Sequence, residues 1–352
     1  MMKRTVLLSL FGLITFLFIF PPIMRLFYYF NLSHSWIFSL VSAMMLPIGF
    51  IILFSKQNKV TNILSLFCTA WFASIFIVIG AIIFVEIFRF IFSFSAYLSG
   101  WLVLGISTVF IVISLIGAKF WKIKTINISS SKIKNKLSLV QLSDVHANGI
   151  LAKKQLKKVF DKAMKLNPDF IVVTGDLIDI PFDFSKNTFD VLDDIKIPII
   201  YELGNHERFL GLDNVRKAVK NSSLRLVENK EVVVKDISIT SISDSTNKTH
   251  LDEILPKIKR HKSKFQVLLY HKPEGYAIAQ KEGIDLMLSG HTHWGQFFPI
   301  QFIVLLQNKY PWGTHKIKNM IFNISAGSGA FIWPMRIGSS NEITHIILHP
   351  EK

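Results

Sequence analysis

The hydrophobic pattern divides the chain near residue 121. Before that point apolar residues run almost without interruption. Four stretches approach the ~20 residues a helix needs to cross a bilayer: Thr5 to Phe20, Trp36 to Phe54, Ile63 to Phe84 and Trp101 to Phe120. The first starts behind Lys3 and Arg4 but is followed by Pro21-Pro22-Ile23-Met24-Arg25, not by a small-residue cleavage site, so an uncleaved helix is expected. Beyond residue 121 the apolar residues come in short runs between polar clusters. Leu137 to Leu142, Asp169 to Thr174 and Ile197 to Leu203 predict buried strands. Residues 152–166 place Leu156, Val159, Phe160 and Ala163 on one helical face, and further helices are expected over 185–194 and 212–220. This alternation predicts an α/β fold with right-handed crossovers and a mostly parallel sheet. Residues 224–242 predict antiparallel strands of a second sheet. More strands are expected at Phe265 to Tyr270, Ile284 to Leu288, Met320 to Ser325 and Ile343 to Leu348.

Charge sharpens the division. The net charge is +16, and residues 1–124, with nine Lys/Arg against Glu86 alone, hold half of it. With four crossings, Lys3, Arg4, Lys56, Lys59, Lys119, Lys122 and Lys124 fall on one side of the membrane, against Arg25 and Arg89 on the other. The positive-inside bias then places the second half in the cytoplasm. Glu86 and Arg89, three residues apart, are expected to pair on one helix face at the membrane interface. The charge of the second half is diffuse, without interleaved basic and aromatic residues, so no nucleic-acid partner is expected. The single cysteine, Cys68, excludes an internal disulfide and a Cys-rich zinc site.

The chemistry gathers where strands end. The first three expected strands run into Ser143-Asp144-Val145-His146, Gly175-Asp176-Leu177-Ile178-Asp179 and Gly204-Asn205-His206-Glu207. Two later ones run into Tyr270-His271-Lys272 and Ser289-Gly290-His291-Thr292-His293. Ligands of open α/β sheets collect at the carboxyl ends of strands, so these clusters are expected to converge. Carboxylate, amide and imidazole donors without thiolate suit Mn, Fe, Zn or similar divalent ions. Asp144, His146, Asp176, Asn205, His271, His291 and His293 make seven candidate ligands. That is too many for one tetrahedral ion but suits two ions sharing a carboxylate.

The blocks DVH, GDLID, GNHE, the isolated His271 and GHTH, spanning Asp144 to His293, resemble the signature of calcineurin-like metallophosphoesterases. The segment AGSGAFIWPMRIGSSNEIT (326–344) resembles the membrane-anchored branch of that family. The resemblance implies two β-sheets packed face to face with helices outside. It implies that Asp144, His146 and His293 hold one metal, that Asn205, His271 and His291 hold the other, and that Asp176 bridges. It makes His206 the catalytic histidine and Asp179 the carboxylate that orients it. Two positions depart from the pattern. Ile180 stands where protein phosphatases of the superfamily carry arginine, which argues against a phosphoprotein substrate. Trp294 stands where relatives often carry glycine, which implies a bulkier mouth to the site.

The expected organisation is a transmembrane domain over 1–121, a basic linker over 122–136 and a phosphoesterase domain over 137–352. The expected activity is hydrolysis of a phosphate ester with two divalent ions, in a multi-pass protein of the cell membrane. A phospholipid or lipid-linked phosphate is the favoured substrate. The alternatives are a tethered phosphodiesterase for soluble nucleotides and an inactive scaffold. The apolar stretch after GHTH (Trp294, Phe297 to Ile300, Phe302 to Leu306, Tyr310 to Trp312) is too short to span a bilayer. It is expected to form either a buried strand and loop or an apolar lip facing lipid.

Overall fold

The protein is described as a computed structural model covering residues 2–53, 58–298 and 300–351. Lys56, Phe54 and Pro299, named above, lie outside the described residues. The chain forms two compact units. One comprises Met1–Gly117 with Ile332–Ile337, the other Ala118–Phe331 with Gly338–Lys352.

In the first unit the apolar runs form helices α1 (Met2–Tyr29), α2 (Ser35–Leu53), α3 (Lys59–Phe92) and α4 (Ala96–Gly117). Among the described residues, α3 and α4 are each long and apolar enough to cross a membrane. α3 begins on a capping box in which the Asn58 side chain accepts from Thr61 N while Thr61 Oγ1 accepts from Asn58 N. α4 stops at Gly117, three residues before the expected end of the fourth stretch. Glu86 on α3 does not pair chiefly with Arg89, which lies 3.8 Å away. Its Oε1 accepts from Arg25 Nε at 2.7 Å and from the Tyr29 hydroxyl at 2.5 Å, both on α1. That tie joins residues some sixty positions apart, so local spacing did not reveal it. The segment 332–337 packs within this unit, where Arg336 N donates to Ser114 O at 2.9 Å and Trp333 meets the Phe72 ring.

The second unit holds strands β1 (Trp121–Ser130), β2 (Leu137–Leu142), β3 (Phe170–Thr174), β4 (Ile199–Glu202), β5 (Leu224–Leu226) and β6 (Lys230–Val234). It continues with β7 (Ile237–Ser241), β8 (Phe265–Leu269), β9 (Leu286–Ser289), β10 (Gly313–Ile317), β11 (Met320–Ile324) and β12 (Asn341–Pro350). Its helices are α5 (Ala152–Met164), α6 (Asn205–Leu210), α7 (Leu212–Val219), α8 (His250–Ile254), α9 (Tyr276–Lys281) and α10 (Ile300–Gln307). One sheet has the order β1-β12-β2-β3-β4-β5 and the other β10-β11-β9-β8-β7-β6. Strands β2 to β5 run parallel, as do β7, β8, β9 and β11. The sheets face each other across one buried cluster, to which the first contributes Leu139, Phe170, Val172 and Ile200 and the second Ile239, Val267, Leu269 and Leu288. Outside the first sheet, Leu156, Val159 and Phe160 of α5 pack on Val140, Ile171 and Tyr201. Outside the second, Leu251 and Ala279 pack on Leu268, Met287 and Phe322. The two-sheet α/β architecture expected from the resemblance is thus present.

Three local expectations differ. Residues 122–136, expected as a basic linker, hold most of β1, which pairs in parallel with β12 from Trp121↔Asn341 to Ser130↔Pro350. The lysines mask the strand because they fall on its inward alternation: Lys122 and Lys124 share the parity of the buried Ile126 and Ile128, while Thr125, Asn127 and Ser129 on the other parity are exposed. The helix expected over 185–194 is a short 3-10 turn at Phe189–Leu192. Asp183 Oδ1 accepts from Ser185 N at 3.1 Å, an Asx turn that diverts the backbone from a helical start. Finally, β5 joins the first sheet parallel to β4, because α7 supplies a crossover between them; the antiparallel hairpin is β6–β7.

Candidate metal centre

Parallel strands β2, β3 and β4 of one sheet and β8 and β9 of the other all deliver their carboxyl ends to one place. Cross-sheet hydrogen bonds fix their mutual height: Gln141 Nε2 donates to Ser289 O at 2.9 Å, and the His271 imidazole Nδ1 lies 2.9 Å from Thr174 O. The latter contact settles which ring nitrogen of His271 faces the centre. Glycine is required where the turns touch. A Cβ on Gly175, whose φ is +73°, would fall 2.5 Å from His271 Nδ1. One on Gly290 would fall 1.9 Å from Ser143 Oγ and 2.1 Å from Asp144 Oδ2.

Asp144, His146, Asp176, His271 and His293 are buried, and His291 is exposed at the mouth. Two triads place their donor atoms within 4.8 Å of one another: Asp144, His146 and His293, and Asp176, His271 and His291. In the first, His146 Nε2 lies 2.9 Å from His293 Nε2, and His293 Nε2 lies 3.4 Å from Asp144 Oδ1. In the second, His271 Nε2 lies 3.0 Å from Asp176 Oδ2 and 3.3 Å from His291 Nδ1. The two groups adjoin through Asp176, whose Oδ2 is 3.9 Å from His146 Nε2. His291 N donates to both oxygens of Asp144, at 3.0 and 3.1 Å.

Residues around His206 join the same cluster. His206 N donates to Asp176 Oδ1 at 2.8 Å. Its Nδ1 lies 2.6 Å from Asp179 Oδ1, and the other oxygen of Asp179 lies 3.0 Å from His146 Nδ1. Burial works against a charged Asp179, but the hydrogen bonds with His146 and His206 outweigh it and hold the carboxyl at about 2. Burial likewise works against a charged His206, and Asp179 followed by Asp176 outweighs it, raising the imidazole to about 9. Eight of the nine residues singled out from the sequence therefore lie together, and the ninth, Asn205, directly precedes His206 in the chain.

Several features mark this cluster as a site for a bound cation. The His146 and His293 Nε2 atoms lie 2.9 Å apart, with Asp144 Oδ1 3.4 Å from His293, a nitrogen and oxygen donor set that suits a cation. Asn205 Oδ1 is buried without a hydrogen-bond partner, so an acceptor is left for a ligand. Asp144, His146, Asp176, His291 and His293 all adopt positive φ, between 49° and 72°. Such backbone is costly for non-glycine residues and concentrates at functional sites. The Asp/His clusters suit divalent metals.

Two further residues belong to the site. Glu207, fully buried, accepts from Asp176 N at 2.9 Å, Leu177 N at 2.7 Å, Ile178 N at 3.2 Å and Gly204 N at 2.9 Å. It knits the β3 and β4 turns together. Its place as third residue of α6, reaching back to the start of the helix, is the capping-box signal that identifies it in the sequence. Phe331 lies with its ring centroid 5.0 Å from His206, 5.3 Å from His146 and 6.3 Å from His293. Nothing in the sequence pattern marks it, because it sits far beyond the last histidine block. Trp294 stacks on Trp312, with centroids 5.7 Å apart.

Comparison with known proteins follows this geometry. The calcineurin-like phosphoesterase family matches residues 137–295. An uncharacterized metallophosphoesterase of Campylobacter jejuni is 30% identical over 243 residues, 66% of this chain and 64% of that protein. A transmembrane protein with metallophosphoesterase domain from Danio rerio is 26% identical over 235 residues, 61% of this chain and 53% of that protein. The chain thus spans about half to just under two thirds of the length of these curated relatives. A solved dimetal phosphatase from Danio rerio, 10% identical, covers 54% of this chain and 87% of its own with a TM-score of 0.34. Residues 137–295, which hold the whole Asp, His and Asn cluster, form the part of the chain that matches a calcineurin-like phosphoesterase domain.

Proposed function

We propose that the protein is a membrane-anchored, two-metal phosphoesterase acting on a membrane-derived phosphate ester. The observation that carries this reading is the clustering of Asp144, His146 and His293 beside Asp176, His271 and His291, with His206 next to them and its Nδ1 2.6 Å from Asp179. In this assignment Asp144, His146 and His293 would hold one ion, Asn205, His271 and His291 the other, and Asp176 would serve both. Two divalent ions, of which Mn, Fe or Zn suit the donors, supply Lewis-acid polarisation of the phosphoryl oxygens and an activated water. The protein positions that chemistry. His271 presents Nε2 because its Nδ1 faces Thr174 O, and His146 presents Nε2 because its Nδ1 faces Asp179. His206 presents Nε2 to the substrate because Asp179 holds its Nδ1, and it gives that proton to the departing oxygen.

Anchoring follows from the apolar helices. Of the helices expected to span, α3 and α4 are long and apolar enough to cross a membrane, and the lysine and arginine distribution favours a cytoplasmic phosphoesterase unit. The domains run from the helical segment to a hydrolase whose first sheet includes β1, so the basic residues 122–136 belong to the hydrolase. A lipid phosphate is favoured over a soluble nucleotide by α10, two residues after Phe298. Phe298, Phe302, Ile303, Leu305 and Leu306 are 49–89% exposed, a contiguous apolar surface of the kind that meets lipid. The test is a hydrolysis screen of the detergent-solubilised full chain with Mn²⁺. Chromogenic monoesters and diesters come first, then lipid phosphates in mixed micelles. Metal-dependent turnover lost in Asp176→Ala and His291→Ala, with less bound metal, is the expected result. Turnover that survives metal removal, or either substitution, would overturn it.

A further inference from the structure

His206 is flanked by two phenylalanines on different segments. The Phe331 ring stands edge-on to it at 5.0 Å, and the Phe209 ring, one helical turn on in α6, stands edge-on at 5.5 Å. Neither ring belongs to the sandwich core. Phe209 is 59% exposed and Phe331 is half-buried. Phe331 is nonetheless held firmly, since its N–H donates to Gln296 Oε1 at 2.8 Å and its carbonyl accepts from Gln296 Nε2 at 3.1 Å. Gln296 itself is buried. A large aromatic locked by its own backbone and left partly exposed beside a proton donor is placed for contact with a ligand.

The charged groups nearby point the same way. Arg208 lies against the Phe209 ring at 5.3 Å, but its Nε and Nη2 donate to Asp244 Oδ2 at 3.1 and 2.7 Å. Lys272, which follows His271, has its Nζ 2.7 Å from Asp244 Oδ1 and 2.7 Å from Ser245 O. The two cations next in sequence to the site are thus both engaged by one buried carboxylate. Besides Asp176, Asp179 and the His146 ring, the side chains found against His206 among the described residues are the Phe209 and Phe331 rings.

We propose that Phe209 and Phe331 form an apolar subsite for the leaving alcohol, so that the phosphorus–oxygen bond broken is the one to an apolar alcohol. This rests on the assignment of His206 as proton donor. The oxygen of water becomes bonded to phosphorus on the face opposite the leaving group; one of its protons stays on the phosphate product, and the other leaves to solvent, from which His206 is reprotonated. The phosphorus–oxygen bond on the His206 side breaks, its electron pair stays on the alcohol oxygen, and His206 Nε2 supplies the proton. The phosphate part remains with the ligand cluster, and the apolar alcohol departs along the two rings.

Short probes that reach the rings without extending further test this. Butyl, methyl and glycerol phosphate are compared as monoesters, and methyl butyl phosphate as a mixed diester, in the full chain with Mn²⁺. The readouts are the butyl-to-methyl ratio of kcat/KM and the butanol-to-methanol partition from the diester. Burying a methylene is worth about four-fold, so three give a ratio of about 10- to 60-fold in favour of butyl, with glycerol phosphate close to methyl. In the Phe209→Ala, Phe331→Ala double variant the ratio is expected to fall below about 3-fold, whereas Phe331→Leu, which keeps an apolar contact, retains most of it. Bound metal and melting temperature are measured for each variant. A ratio near one in the parent protein, glycerol phosphate outpacing butyl phosphate, or an unchanged ratio in a folded, metal-loaded double variant would each overturn the proposal. Absence of any Mn²⁺-dependent turnover of p-nitrophenyl phosphate is read separately and overturns the phosphoesterase assignment itself.

Discussion

Asp179 Oδ1 lies 2.6 Å from His206 Nδ1, while its second oxygen serves His146 Nδ1 at 3.0 Å. One carboxylate thus orients both the proposed proton donor and a proposed metal ligand. Asp179→Asn keeps the shape but can no longer accept from two ring N–H groups through two equivalent oxygens. Second-shell losses of this kind cost about 10- to 100-fold in metal affinity or activity. The variant is expected to lose both, with added Mn²⁺ restoring only the metal-dependent part. Mn²⁺ titration of turnover distinguishes the two. Full recovery at saturating metal would mean that His206 does not depend on Asp179.

His206→Ala is expected to retain bound metal and lose ~10²–10⁴-fold in turnover of alkyl esters, the usual contribution of a positioned acid. The loss should shrink for p-nitrophenyl esters, whose leaving group needs no proton. Equal losses on both substrates would remove His206 from the acid role.

The same residue sets a pH dependence of the metal-free protein. His206 titrates at about 9 when folded, against 6.5 for the free imidazole. A folded group that binds its proton more tightly stabilises the fold fully below 6.5, and that stabilisation is lost as pH rises through 9. The urea midpoint of metal-stripped protein should therefore fall between pH 6.5 and 9, and His206→Ala should flatten that fall. Bound cations lower the imidazole and move the window to lower pH.

Metal loading should release protons. In the metal-free cluster burial opposes a charged His271, but Asp176, 3.0 Å away, and Asp144 outweigh it and hold the imidazole well above its ordinary range. An imidazolium cannot ligate through the nitrogen that carries the proton, so binding expels it. Calorimetry of Mn²⁺ binding at pH 7 in buffers of different ionisation enthalpy should give different apparent enthalpies. Buffer-independent heats would contradict His271 as a ligand.

The parts of the site written as contiguous polar blocks after apolar strands were legible in the sequence. Each such block combines a donor with a turn that glycine permits, as Gly175-Asp176 and Gly290-His291 do. The parts that act across distance were not. Arg25 meets Glu86 only once α1 lies on α3. β1 is disguised because Lys122 and Lys124 occupy the parity that Ile126 and Ile128 bury, so no apolar alternation starts until Ile126. Phe331 reaches the histidines only because Gln296, 35 residues earlier, fixes its backbone. Glu207 was visible within its block, but its role depends on four backbone N–H groups from two different turns. Removing that acceptor leaves them buried and unsatisfied, at about 1–3 kcal/mol each. Glu207→Ala is thus expected to lower the melting temperature by roughly 8–16 °C for ~4 kcal/mol, the lower end of that sum, and to weaken metal binding. Glu207→Gln should lose less. A Glu207→Ala protein with parental stability and metal content would show that the turns hold without it.

The apolar stretch after the last histidine block resolves into two kinds of residue. Phe297 is 2% exposed and belongs to the interior, whereas Phe298 is 55% exposed and Phe302 and Leu306 on α10 are 57% and 89% exposed. The strand that was one of the two expectations is instead a one-sided helix. Leu306 and Phe302 lie four residues apart on the same face. Keeping such a surface in water is unfavourable by about 25 cal/mol per Å² of apolar area, so a bilayer or micelle surface is its natural neighbour. Phe302→Ser with Leu306→Ser removes that surface without touching the histidine cluster. Hydrolysis of a lipid phosphate in mixed micelles is expected to fall about ten-fold or more, the equivalent of one or two lost side-chain insertions, while p-nitrophenyl phosphate turnover and melting temperature hold. Phe297→Ser, by contrast, should lower the melting temperature and both activities together. If Phe302→Ser with Leu306→Ser spares the lipid substrate, or lowers both activities along with the melting temperature, α10 is not a lipid-facing element. The preference for a lipid over a soluble ester then loses its support.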